Sequence, residues 1–314
     1  MPNPVVVGVD DPLAASAALD WATDEAQQRS LPLQLVHAPA WNPRHPPDDD
    51  AAQSIRRADE RGLRGLAARA VGRHRGLKVS TCLAGGTARI ALVAASEGAE
   101  LLVLGSQGSG GLPELLIGST SLHVAAHAAC PVVVVPGTGE RPAAAAPATR
   151  ADGYDGYDGY DGYDGYDAEG RSLDGVAVGI DGAGPSDGPL AFAFETAQRR
   201  GLPLRVVHTW SYPLAVGPGH AFPPVYEAGQ VGAEATRLLA EVLAGWRQKF
   251  PEVRVTEDVV RSGAARHLVE VSANQQLLVV GRRGRPDGPV GRLGSVSQTV
   301  VHQTRCPVAV LPED

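Results

Sequence analysis

Lysine is nearly missing from this chain of 314 residues: only Lys78 and Lys249 occur. Neither stands in a G-x4-G-K-[ST] frame, which excludes a phosphate loop built around a lysine. Cysteine is also scarce. Cys82, Cys130 and Cys306 have no CxxC spacing and no even count, which argues against a disulfide framework or a cysteine zinc site. No stretch reaches the ~18 apolar residues of a membrane span. The start, "MPNPVVVGVDD", has no basic segment ahead of a long apolar core, so it does not read as a signal peptide. A reduced, cytoplasmic setting is the expectation. Positive charge is short as well. The net charge of -7 gives no general attraction to nucleic acid or to an anionic membrane.

What the chain does have, it has twice. "PVVVGVDD" at 4–11 answers to "GVAVGIDG" at 175–182, and "RSLPLQLVHA" at 29–38 to "RGLPLRVVHT" at 200–209. "ELLVLGSQG" at 100–108 answers to "QLLVVGRRG" at 276–284, and "CPVVVVP" at 130–136 to "CPVAVLP" at 306–312. The offset is 171 residues for the first two pairs and 176 for the last two. A near-constant offset in one order marks a duplicated domain rather than a solenoid. The expected division is 1–138 for the first domain, 139–172 for a linker and 173–314 for the second. Five Asp-Gly-Tyr units fill 152–166. They develop no apolar face, which predicts a disordered, acidic linker.

Within each copy, short β-branched runs alternate with longer helical stretches. In the first copy strands fit 4–9, 31–37, 77–83, 101–105 and 131–135. Helices fit 13–29, 51–72, 87–98 and 118–128. "PVVVGV" is apolar throughout, as a strand covered on both faces should be. Alternating strands and helices predict an α/β class with right-handed crossovers. Each half is therefore expected to be a doubly wound, five-stranded parallel-sheet domain.

In such sheets ligands sit beyond the carboxyl ends of the strands, where the strand order reverses. The glycine stretches lie there. "GSQGSGGLPELLIGST" runs from Gly105 to Thr120, and "GRRGRPDGPVGRLGSVS" from Gly281 to Ser297. Both follow an apolar strand and share the spacing G-x2-G-x9-G-S: Gly105, Gly108, Gly118 and Ser119, then Gly281, Gly284, Gly294 and Ser295. Glycines let the backbone turn and approach a ligand, and a helix N-terminus offers unpaired amides to a phosphate. Ser119, Thr120 and Ser295 add hydroxyls, and Val296 follows directly. The competing assignment makes the serines N-caps and the glycines plain turns. Repetition of the spacing favours an anion site. Asp10 and Asp181 end the first strand of each copy. Each can bind a ribose hydroxyl or a phosphate-held magnesium ion, or can serve as a helix N-cap.

At these residues the chain resembles the universal stress protein family in its tandem-domain form. The resemblance covers both halves and excludes the linker. It implies sheet order 3-2-1-4-5, a fold shared with adenine nucleotide α hydrolases, and ATP with Mg2+ as the bound group. The phosphates would lie on the Gly108–Ser119 stretch and its counterpart. The adenine would be held by backbone at Val36 and Val207. The resemblance also implies that the last strands pair across the two domains, giving an internal pseudo-dimer, and that chains associate further as homo-oligomers with an unknown regulatory partner. Copy one departs from the family's Asp-Gly-Ser by reading Asp10-Asp11-Pro12. Arg282, Arg283, Arg285 and Arg292 in copy two, against Glu114 in copy one, predict that the second site holds a triphosphate more tightly.

Catalysis is not expected beyond slow hydrolysis, because no lysine loop, general base or nucleophile triad is evident. The runner-up function is a nucleotide-independent interaction module working through the apolar last strands. His37 and His208, at matching places, are read as structural. Cys130 and Cys306 are read as packed, inert thiols.

Overall fold

The computed structural model describes residues 2–11, 16–39, 49–106, 117–137, 175–181, 186–211, 228–282, 293–304 and 306–312. The first half runs β1 (Val5–Val9), α1 (Ala17–Arg29), β2 (Leu33–His37), α2 (Asp49–Arg73), β3 (Val79–Leu83), α3 (Ala88–Ser96), β4 (Leu101–Gly105), α4 (Ser119–His127) and β5 (Val132–Val135). The second runs β6 (Gly175–Ile180), α5 (Asp187–Arg200), β7 (Leu204–Trp210), α6 (Ala228–Lys249), β8 (Val255–Arg261), α7 (Ala264–Ser272), β9 (Gln275–Gly281), α8 (Ser295–Gln303) and β10 (Val308–Leu311). The expected elements of the first half are all present, displaced by no more than two residues where their ends are described. The proposed start of the first helix at 13 and the Asp-Gly-Tyr segment lie outside the described residues.

The strands join into one ten-stranded sheet in the order β3-β2-β1-β4-β5-β10-β9-β6-β7-β8. Each half is parallel in the expected order. The halves meet where β5 and β10 pair antiparallel, Val134 opposite Val308 and Val132 opposite Val310. The internal pseudo-dimer implied by the resemblance is thus present in the structure. The facing edges of these two strands are spent on each other.

Alternation along the strands feeds two cores. Val5, Val7, Val176 and Val178 face a layer containing α1, α2, α5 and α6. Val6, Ala177, Val134 and Val308 face the layer of α3, α4, α7 and α8. The period of two, with apolar side chains on both faces, is why the strands read as unbroken Val/Leu runs.

Two contacts tie the halves together beyond the sheet. On one face, Glu25 of α1 is fully buried beneath Arg29 at 2.6 Å and Arg200 of α5 at 2.5 Å. The Arg29 guanidinium lies 5.1 Å from the centre of the Phe192 ring, and that of Arg200 5.3 Å from Trp21. Arg29 and Arg200 are equivalent residues of the two copies, as are Trp21 and Phe192. The arrangement is therefore a swapped pair of cation–aromatic contacts about a pseudo-twofold axis. On the other face, Arg282 is buried and its Nη1 donates to the Ala128 carbonyl at 2.6 Å, where α4 ends. Its counterpart Ser106 stays in its own half, its hydroxyl accepting from the Gly137 amide.

Candidate nucleotide cleft

Parallel strands bring their carboxyl ends to one edge, and the two innermost crossovers diverge there. In the second half β6, β7 and β9 end on that edge. A cavity of about 480 Å3 opens beside them. Its lining includes Asp181, Val207, Gly281, Gly294, Ser295 and Val296. All six were candidates from sequence, from four separate segments. Gly284 lies outside the described residues.

Local hydrogen bonds set this corner. The Gly294 amide donates to the Arg282 carbonyl at 3.0 Å, and the Ser297 hydroxyl donates to the Gly281 carbonyl at 2.6 Å. The start of α8 is thereby held against the end of β9. The first half repeats both bonds: Gly118 amide to the Ser106 carbonyl at 2.7 Å, and Ser121 hydroxyl to the Gly105 carbonyl at 2.8 Å. Gly105, Gly118, Ser119 and Thr120 are brought together this way, with Asp10 after β1 and Val36 in β2 on the same edge. Gly108 lies outside the described residues. Ser121 and Ser297 were not among the sequence candidates. Their signal was weak, because a serine one turn into a helix has no special residue type or spacing.

The N-cap alternatives do not hold. Gly118 and Gly294 occupy the cap positions of α4 and α8 with no side-chain cap bond, so Ser119 and Ser295 are first helical residues. The caps of α1 and α5 are Ser16 and Ser186, not Asp10 and Asp181. The first-turn amides of α4 and α8 have no intrahelical partner by construction. Ser119 and Ser295 are exposed at those ends.

Gly8 and Gly179, also unassigned from sequence, are needed for the floor. A Cβ on Gly179 would lie 2.9 Å from Leu268, and one on Gly8 would lie 2.5 Å from Leu104. The glycines let those leucines pack over β1 and β6 beneath the cleft.

The histidines are structural, as expected. His37 Nδ1 lies 2.7 Å from the Val9 carbonyl and His208 Nδ1 lies 3.2 Å from the Ile180 carbonyl, binding adjacent strand ends. Cys130 and Cys306 are buried, and burial pushes the Cys130 thiol up to about 12, which leaves it protonated and inert. One expectation needs correction. Arg282 does not stand over the second cleft, because its guanidinium crosses to Ala128 of the first half. Its charge therefore gives no direct reason for tighter phosphate binding there. Arg283, Arg285, Arg292 and Glu114 lie outside the described residues.

The ionisable groups among the described lining residues are Asp181 and Asp187. Among the described residues no cluster of three or more His, Cys, Asp or Glu could hold a metal. Nor is any helix among them long and apolar enough to cross a membrane.

Comparison with known proteins agrees with this fold. The model of the "Universal stress protein family" matches residues 1–136 and 174–312. Universal stress protein Rv2005c of Mycobacterium tuberculosis (strain ATCC 25618 / H37Rv) is 37% identical over 319 residues, covering 98% of this chain and 96% of the relative. A universal stress protein of Mycolicibacterium smegmatis (strain ATCC 700084 / mc(2)155) is 32% identical over 320 residues, with 98% and 96% covered. The crystal structure of a universal stress protein from Archaeoglobus fulgidus DSM 4304 shares the fold, with a TM-score of 0.65 at 16% identity over 99% of this chain and 96% of that one. With two matched segments filling both halves and relatives alike along nearly their whole length, the chain belongs to the universal stress protein family, in tandem form.

Proposed function

We propose that the cleft of the second half, and its counterpart in the first, binds ATP with Mg2+, and that the protein acts as a nucleotide-binding regulator with at most slow hydrolysis. One observation carries the reading: six residues scattered over the second half line a single cavity of about 480 Å3, within the range of small-molecule sites. Its lining holds both kinds of group. Val207, Leu268 and Val280 offer apolar surface suited to a base, while Gly281, Gly294 and Ser295 offer backbone amides suited to phosphates. Asp181 and Asp187 would repel a polyphosphate unless a cation lay between them, and Mg2+ on the phosphates supplies one. Binding would change the surface around the cleft and bias a partner, the usual way a ligand shifts a conformational equilibrium.

The test is calorimetric titration of the full chain with Mg-ATP, beside nucleotide analysis of heat-denatured protein purified without added nucleotide. Ser295→Asp is the informative variant. An acidic residue in the first turn favours the helix, so the fold is retained. It faces the phosphates, so affinity at that site should fall about tenfold or more. Absence of copurified nucleotide together with no heat of binding would refute the reading.

A further inference from the structure

We infer that the arginine cluster between the halves binds a doubly charged oxyanion, inorganic phosphate or a small phosphate monoester, at a site apart from both clefts. The charges there do not balance. Arg29, Arg199 and Arg200 gather around Glu25, three positive charges against one negative. Glu195 also attracts Arg199, but it is exposed and screened by solvent. The negative ends of the α1 and α5 dipoles soften the excess without removing it.

Hydrogen bonding is unbalanced in the same place. Arg29 Nη2, Arg199 Nε and Arg200 Nε are buried and have no acceptor among the described residues. The Arg29 side chain is only 8% exposed. A buried donor left unpaired is costly, and more so on a charged group. Glu25 does not serve them all. Its oxygens take Arg29 Nε at 2.6 Å and Arg200 Nη2 at 2.5 Å, while Arg199 comes no nearer than 3.8 Å. Burial, and then repulsion from Arg29, hold the Arg199 guanidinium below its ordinary range. Two cations held close together are relieved by an anion that bonds both.

The donors are ordered in advance. The Arg29 and Arg200 guanidinium groups already lie against Phe192 and Trp21, so a ligand has little left to fix. Guanidinium forks match phosphate oxygens pairwise, which favours an oxyanion over a spherical ion. Arg199 is the open side of the cluster. It is 24% exposed, and its Nη2 donates to Thr196 Oγ1 at a long 3.3 Å. The first copy carries Gln28 at the position equivalent to Arg199, so the third arginine belongs to the second copy alone. Ser30, Leu31 and Pro32 alone separate Arg29 from β2. That places the cluster toward the amino edge of the sheet, opposite the edge that carries the clefts.

The experiment follows thermal unfolding of the full chain at pH ~8, where phosphate esters are dianionic. Inorganic phosphate, glycerol 3-phosphate and, at equal ionic strength, sodium chloride are added in turn. The expected result is a rise in Tm of about 3 °C at roughly 20 mM phosphate, beyond the rise in chloride. Arg199→Gln installs the residue that the first copy carries and removes a repelled cation, so the fold is retained. It should lose the response. Arg199→Lys keeps the charge without the fork and should weaken the response without abolishing it. Both variants leave the clefts intact, so phosphate held there does not imitate the effect. Whichever oxyanion gives the larger rise identifies the form bound. A rise no greater than in chloride, or one that survives Arg199→Gln in full, overturns the inference.

Discussion

The two halves share strand order, helix order and the hydrogen bonds that join each fourth strand to the next helix, yet they differ where each touches the other. At the pseudo-twofold axis Arg29 and Arg200 mirror one another, as do Trp21 and Phe192, but Glu25 faces a buried Thr196 as its counterpart. A single carboxylate serves Arg29 and Arg200, and Arg199 stands 3.8 Å away. Two carboxylates on that axis would repel at close range, and none would leave the guanidinium groups unneutralised. A duplicated chain can break the symmetry that two identical subunits must keep. Three guanidinium nitrogens in the cluster, Nη2 of Arg29 and Nε of Arg199 and Arg200, remain buried without a hydrogen-bond partner among the described residues. Glu25 is the carboxylate bonded to both Arg29 and Arg200, and that makes the comparison easy to disturb.

The largest effect is expected from Glu25→Gln. It leaves buried cations without their counter-charge and should cost about 3–5 kcal/mol in unfolding free energy, measured by denaturant titration. Thr196→Val, at the equivalent site, should cost far less. Acid should produce the same contrast. Burial pushes the Glu25 carboxyl up, but Arg29 and Arg200 outweigh it and hold it below its ordinary value of 4.5. Its contribution is therefore complete above that value and fades as pH falls through the depressed folded one. The Gln variant should lose less stability on acidification than the parent. Asp24 and Asp258 are depressed too, so some acid sensitivity will remain. A parent and variant with parallel acid profiles would show that Glu25 does not hold the axis.

A smaller effect is expected on the other face. Arg282→Met removes a charge-assisted bond to the end of α4 and should cost about 2 kcal/mol. Ser106→Ala, its counterpart, should cost no more than about 1 kcal/mol, since its bond stays within one half. Equal losses would mean that the Arg282 contact does not join the halves. The smallest effect separates two helix ends. Ser30 and Gly201 are equivalent C-caps, both left-handed, with φ 56° and 63°. Ser30→Gly should stabilise by about 0.5–1 kcal/mol and Gly201→Ser should destabilise by a similar amount, read as opposite shifts in Tm.

Much of the cleft was legible because its parts are local. A glycine pair after an apolar strand, an aspartate ending the first strand and a Gly-Ser opening a helix each carry a backbone reason that a short window reveals. The swapped role of Arg282 was not legible. In sequence it is one arginine in a glycine-rich run, indistinguishable from a phosphate ligand. Only the antiparallel meeting of β5 and β10 brings the end of α4 within its reach. Glu25 was likewise hidden, since "TDEAQQR" reads as an ordinary solvated helix end.

By itself the sequence determined the strand and helix order of each half, the duplication, and the edge on which the proposed site lies. Those follow from periodicity, chain direction and turn chemistry, all short-range. Tertiary structure alone decided which of the charges are buried between the halves and how far β7 and β8 outrun β2 and β3. Such contacts link residues far apart in the chain, Trp210 with Arg261 and Glu25 with Arg200 among them. Their energies depend on burial and distance, and neither quantity is fixed until the chain has folded.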